Sequence, residues 1–264
     1  MMAHRLETQG SLLTESWVQA GRLLLRWRRD QAVLMGSLLL PVFLLFCYQI
    51  VLGEQVHRVT GAQSVYGVVP MCAVISALFG SLGNSVGITM DRQSRLLSRM
   101  WVLPIHRASA ITGWVMAEVV RALIGTTLIT VIGLAMGLRF SQGWPAALLF
   151  LLVPSIVVTG FTALVMAMAI RNNGRAAMTW LLGMTFALVF VNPGATPIKL
   201  FPHWAQPLIR MQPVSPPIET MRALAHGGPI AWPLEMTVAW AVVLVAVFIP
   251  VAVRGYRLAA EASP

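Results

Sequence analysis

Glu118 and Arg121 are the only charged side chains inside six long apolar runs, and a spacing of three puts them on one helical face. Charged groups at such depth are costly, so they face a bundle interior, where they pair, line a pathway or relay protons. Two uses are open: a structural ion pair near the cytoplasmic side, or a contact with a substrate or gate. A proton relay wants more than one carboxylate at depth, which argues against ion-coupled transport.

Other chemistries are excluded by residues that are missing. Lys199 is the only lysine and follows Ala195-Thr-Pro-Ile rather than a glycine-rich loop, so the chain has no Walker A site and does not hydrolyse ATP by a P-loop mechanism. Any driven transport must draw its energy from a partner. His4, His57, His106, His203 and His226 are dispersed and form no H-E-x-x-H pair, which speaks against a zinc hydrolase. Cys47 and Cys72 lie in apolar runs without metal or disulfide spacing, so no metal or cofactor is expected on this chain.

The elements that must position these residues are membrane helices. The chain is 57% hydrophobic and 11% charged, whereas soluble proteins carry about 25% charged residues. A net charge of +10 raises nucleic acid as a partner, but the arginines sit in gaps between apolar runs, as membrane topology requires. Six runs reach or approach the roughly 20 residues of a spanning helix: Ala32 to Leu52, Val65 to Met90, Ala110 to Leu138, Ala146 to Ile170, Ala176 to Val191 and Met236 to Val253. The positive-inside rule puts both termini in the cytoplasm. That choice leaves Arg5, Arg22, Arg26, Arg28, Arg29, Arg92, Arg95, Arg99, Arg107, Arg171, Arg175, Arg254 and Arg257 inside, and only Arg58, Arg139, Lys199, Arg210 and Arg222 outside. Glu7, Glu15 and Asp30 among the N-terminal arginines, with no small-residue cleavage site, argue against a removable signal peptide.

Residues 12 to 30 read as an interfacial helix. Leu13, Trp17, Ala20, Leu24 and Trp27 form one stripe; Glu15, Gln19, Arg22, Arg26 and Arg29 form the other. Both tryptophans are expected at headgroup level. Between the second and third runs, Asp91 to Arg107 is basic and amphipathic: Arg92, Arg95 and Arg99 share a face, Leu96, Met100 and Leu103 another, and Pro104 ends the helix. It either docks a soluble partner through its apolar edge or lies tethered to anionic lipid. The external segment 192 to 235 is long and apolar and is expected to fold back as a helical hairpin. A short helix around His203 to Met211 would carry Trp204. Ser215 would cap a second helix through Pro216 and Pro217, ended by Gly227-Gly228. Gly83-Asn-Ser-Val-Gly87 and Gly133-Leu-Ala-Met-Gly137 have the spacing of close helix packing; Asn84, Ser85 and Thr89 serve either interhelical bonds or a polar conduit.

Asp91-Arg92, Leu96-Leu97, Arg99 and Trp101-Val-Leu-Pro104 resemble the coupling segment of ABC-2 type exporter permeases. Leu200-Phe-Pro-His-Trp204, Gln212-Pro213-Val214-Ser215 and Met221-Arg222-Ala223-Leu224 are similar to that family's external signature. The likeness is closest to the DrrB and DrrC type permeases of actinobacteria and runs from about Arg22 to Arg257. It implies an all-α membrane protein of six transmembrane helices, with an interfacial helix (residues 1–30 including the tail), a transmembrane domain (31–257) and a short cytoplasmic tail (258–264). It further implies an exporter of hydrophobic compounds, drugs or complex lipids, in the plasma membrane, paired with a second permease as homodimer or heterodimer.

ATP and Mg would be held by a separate ATPase contacting Asp91, Arg92, Leu96, Leu97, Arg99, Met100 and Pro104. Phe201, Trp204, Pro213, Ser215 and Arg222 would belong to the external hairpin. Arg95 stands where relatives often have glycine, which puts the local turn in doubt. Export of lipid-linked polysaccharide and a non-transport scaffold or immunity protein remain as alternatives.

Overall fold

The computed structural model describes residues 11–60, 64–93, 109–170, 174–196 and 198–261, and among them the chain is helical with no strand. The helices are α1 (Leu12–Arg29), α2 (Gln31–Thr60), α3 (Val65–Gln93), α4 (Ser109–Ala135), α5 (Gly143–Ala169), α6 (Gly174–Phe190), α7 (Gln206–Met211), α8 (Ser215–His226) and α9 (Ala231–Glu261), with a 3-10 turn at Ile198–Leu200 before α7. Each predicted apolar run lies largely within one of α2 to α6 or α9. Among the described residues, four stretches are long and apolar enough to cross a bilayer: Val65–Gly83, Ser109–Ala135, Gly143–Ala169 and Ala231–Gly255. Met35–Val51 in α2 and Ala176–Phe190 in α6 are shorter apolar stretches.

α3 is the central post. It packs against α2, α4, α5, α6 and α8, and Val68 to Leu78 is buried throughout. A helix hydrophobic all round belongs in the middle of a bundle, and this one has small residues where neighbours approach. A Cβ on Gly133 of α4 would press on the Val69 side chain, and one on Gly160 of α5 would sit 2.9 Å from the Ala241 Cα of α9.

The end of α4 departs from the expected run. The helix stops at Ala135 because Gly137 takes φ +105, while Leu138 N–H donates to Gly133 O (2.8 Å) and Gly137 N–H to Leu134 O (3.2 Å), a Schellman closure. Gly133 therefore packs, as expected, whereas Gly137 is a helix stop rather than a packing site. The chain turns through Gly143 (φ +78) into α5.

The two ends of the bundle differ. At one, α1 lies along α4: the Ser16 and Thr112 hydroxyls are 2.5 Å apart, and a side chain at Gly113 would run into Gln19. The buried stripe of α1 is Ser16, Ala20, Leu23 and Trp27. Trp27 is thus inside, with its indole nitrogen lacking a hydrogen-bond partner among the described residues, and only Trp17 is exposed. The expected stripe carrying both tryptophans is split, because Trp27 turns inward with the face that seats α4 while Trp17 stays on the exposed side.

At the other end, α8 is wedged among α3, α5 and α9 through Ile218, Met221, Leu224 and Ala225. Ser215 does not cap it. Val214 is the N-cap and uses no side chain, since Pro216 and Pro217 remove donors that a cap would serve; the Ser215 hydroxyl instead accepts from Gln212 Nε2 (2.9 Å). Gly227 (φ +97) ends α8 as expected, and Ser141 N–H in the α4–α5 turn donates to Ala225 O at 3.0 Å. The short helix is α7, beginning at Gln206; His203 and Trp204 lie in the turn before it.

Candidate functional site

Arg121 and Glu118 meet in the core. Both side chains are about 2% exposed; Arg121 Nη2 lies 2.6 Å and Nε 3.0 Å from Glu118 Oε2. The guanidinium reaches across to α3, donating through Nη2 to Ala77 O (3.0 Å) and through Nη1 to Ser76 O (3.3 Å). It can do so because position 80 is glycine: a Cβ there would fall on the guanidinium. Arg121 lies near the middle of α4, about 18 Å from Ser109 at 1.5 Å per residue. The pair is central along its helix rather than close to the Ser109 end. A buried ion pair whose three guanidinium nitrogens are all hydrogen-bonded is retained at the expense of desolvating two charges, and breaking it exposes that cost. Here it staples α4 to α3.

That staple joins the two helices flanking residues 94–108. Asp91 and Arg92 fall in the last turn of α3. Leu96, Leu97, Arg99, Met100 and Pro104 lie outside the described residues. Gly87 on α3 meets Trp114 of α4 and the Arg26 guanidinium of α1, so three elements converge near this end. Gly83-Asn-Ser-Val-Gly87 also carries the G-x-S-x-G spacing of a nucleophile elbow, which a purely packing interpretation passes over. The segment lies in continuous helix, and the Ser85 hydroxyl donates to Leu82 O at 2.6 Å, so the strand–turn–helix context of that motif is missing.

At the opposite end, Arg222 Nη2 donates to Pro193 O, and Gly67 of α3 leaves room for both that side chain and the Gly194 carbonyl. Asn192 accepts from Gly194 N–H through Oδ1 (2.7 Å), and Gln212 Nε2 also donates to Val191 O. Trp240 Nε1 of α9 donates to Met211 O at 2.8 Å. Ser215 and Arg222 belong to this seat, Phe201 is half-buried, and Trp204 is exposed. Burial pushes the Arg222 guanidinium below its ordinary value, against the effect of Glu219. Burial likewise raises the Glu219 carboxyl, against the pull of Arg222 and Arg210.

Beside the turn between α7 and α8, an apolar cleft of about 560 Å³ opens between α5, α6 and α9, with Phe161, Leu181, Leu188, Pro213 and Trp240 in its walls. Its two threonine hydroxyls are already committed: Thr185 donates to Leu181 O (2.7 Å) and Thr237 to Pro233 O (2.8 Å). The cleft therefore accommodates hydrocarbon or aromatic surface, and neither hydroxyl has a proton left to donate to a ligand. Sequence reasoning found Glu118, Arg121 and Arg222 but missed Gly80, Gly67 and this cleft. Glycines that make room for an arginine on another helix leave no periodic signal.

Comparison with known proteins agrees with this architecture. The family model for ABC-2 type transporters matches residues 15–225. The chain is 33% identical over 248 residues, 94% of its length and 90% of the relative's, to the probable doxorubicin resistance ABC transporter permease protein DrrC of Mycobacterium tuberculosis. It is 21% identical over 261 residues, 96% of its length and 88% of the relative's, to the daunorubicin resistance ABC transporter permease protein DrrB1 of Streptomyces coeruleorubidus. It is also similar to the putative transport permease ycf38 of Cyanophora paradoxa, at 23% over 217 residues, 80% of this chain and 74% of that one. With a family match across most of its length and a bundle of long apolar helices, this chain is a multi-pass membrane protein belonging to the ABC-2 type transporter family.

Proposed function

We propose that this chain is the transmembrane permease subunit of an ATP-driven exporter of hydrophobic compounds, working with a separate ATPase subunit and a second permease. The observation that carries the reading is the Arg121–Glu118 staple, which ties the two helices on either side of 94–108 into one body at mid-length. A push on that segment from a soluble ATPase would move α3 and α4 together. α3 contacts α2, α5, α6 and α8, so the motion would reach the hairpin and the apolar cleft.

In this reading α2 to α6 and α9 are six spans, with α2 and α6 completing them at the margin of length. Both termini and the 94–108 segment face the cytoplasm, and α7–α8 form an external hairpin acting as exit gate. Asp91, Arg92, Leu96, Leu97, Arg99, Met100 and Pro104 contact the ATPase, which alone binds ATP and Mg. The apolar cleft supports hydrophobic cargo over lipid-linked polysaccharide, whose sugars would need polar partners along a wide continuous channel. The doxorubicin and daunorubicin resistance permeases among its relatives support a drug as cargo, with a complex lipid as the alternative.

The test is co-purification. The tagged full chain, gently extracted from its native host, is expected to bring down an ABC ATPase in stoichiometric amount, with hydrolysis stimulated by the cargo. A monodisperse, folded preparation that repeatedly brings down no ATPase would overturn the reading and favour a membrane scaffold.

A further inference from the structure

The elbow between α1 and α2 contains a basic pocket that the transport reading does not use. Asp30 alone separates the two helices, in extended conformation (φ -91, ψ 93), and an open groove of about 790 Å³ beside it is lined by Arg22, Leu25, Arg26, Arg29, Asp30 and Gln31. Three arginines line it beside one carboxylate. Arginine presents planar N–H pairs that match phosphate oxygens, so the surplus positive charge here suits a phosphate group.

The surroundings specify what carries the phosphate. On α1 the exposed face opposite the buried stripe mixes Arg22 and Arg29 with Val18 and Leu25, which are 65% and 55% exposed. On α2, Gln31 of the pocket begins the i, i+4 row that continues through Met35, Leu39 and Phe43, then Phe46 and Ile50. All five of these apolar residues are exposed, from 44% to 80%. A charged pocket thus opens onto a hydrocarbon track along a membrane helix. Basic pockets beside membrane helices hold anionic headgroups while an apolar track takes acyl chains.

We infer that the α1–α2 elbow is a binding site for one anionic phospholipid, its phosphate held by Arg22, Arg26 and Arg29 and its acyl chains lying along Met35 to Ile50. The site requires only that the chain sits in a bilayer, and stands whether or not an ATPase partner exists. The lipid would set the angle at Asp30 and hold α1 against the start of α4.

The experiment is native mass spectrometry and thermal melting of the purified full chain in mixed micelles containing phosphatidylcholine, phosphatidylglycerol, or phosphatidylcholine with inorganic phosphate. Wild type is expected to retain phosphatidylglycerol at least tenfold better than phosphatidylcholine and to melt higher with it. The surface variant Arg22→Gln/Arg29→Gln is expected to lose both preferences, while Arg139→Gln at the opposite end keeps them. Equal retention of both lipids by wild type, or undiminished retention in the double variant, overturns the site. Stabilisation by inorganic phosphate equal to that by phosphatidylglycerol assigns the pocket to a free anion and overturns the lipid. Dimers disulfide-linked through Leu39→Cys in phosphatidylcholine alone give the track to a second copy, with the same consequence.

Discussion

The guanidinium of Arg121 lies where a side chain at Gly80 would begin, so one helix donates a charge and the other donates the absence of a Cβ. Each residue explains the other. An arginine buried against α3 needs carbonyls to bond, and Ser76 O and Ala77 O are reachable only over a glycine.

Gly80→Leu is expected to force Arg121 off α3 and strand its charge. Removing one partner of a buried pair costs about 3–5 kcal/mol. Near 250 residues, a loss of about 3 kcal/mol corresponds to a melting temperature lower by roughly 6–12 °C. The shift is measured in detergent by tryptophan fluorescence. Arg121→Met/Glu118→Gln, which removes both charges, is expected to melt closer to wild type than Arg121→Met alone. The reverse order would mean that the ion pair does not hold the helices.

Leu97→Asp or Met100→Asp is expected to abolish capture of the ATPase while membrane insertion and folding stay intact. A pull-down in detergent reads the outcome. Full retention of the ATPase by both variants would remove the coupling role from this segment.

Leu181→Trp fills part of the apolar cleft without adding charge. Overpacking costs about 1–3 kcal/mol, which the melting temperature will register. The functional expectation is that a hydrophobic drug stimulates ATPase activity only at about tenfold higher concentration, equivalent to about 1.4 kcal/mol. An unchanged concentration dependence would separate the cleft from cargo binding.

The seat of α8 carries its own pH dependence. Burial raises the folded-state value of Glu219 above its unfolded one, so folding favours the protonated form. This contribution to stability is complete below the ordinary carboxyl range and is lost as pH rises through the raised value. Glu219→Gln is expected to flatten that limb of the melting temperature against pH. Arg222→Met, which removes the donor to Pro193 O, is expected to loosen α8 at a cost of about 1–3 kcal/mol and lower export while ATPase capture persists.

Much of this molecule is written in its sequence, because a bilayer leaves few options. Runs of apolar residues must be helices there, and the lone pair of charges in those runs must face inward. That determined the helical class, the places of the long helices and the partnership of Glu118 with Arg121. What the sequence left open depended on rotation and proximity between helices. α1 turns Trp27 inward because Gly113 and Thr112 of α4 accept the Ser16 face, which no stripe on α1 alone could reveal. Gly133 and Gly137 share one motif, yet only a backbone turning left-handed at Gly137 makes the second a helix stop. Ser215 has the residue type of a cap, but Pro216, Pro217 and Gln212 give its hydroxyl another role. Arg121 over Gly80, Arg222 beside Gly67 and the arginine elbow at Asp30 each join residues far apart in sequence or set by an angle between helices. Only tertiary packing, which decides where a missing Cβ becomes space for a neighbour, could bring them together.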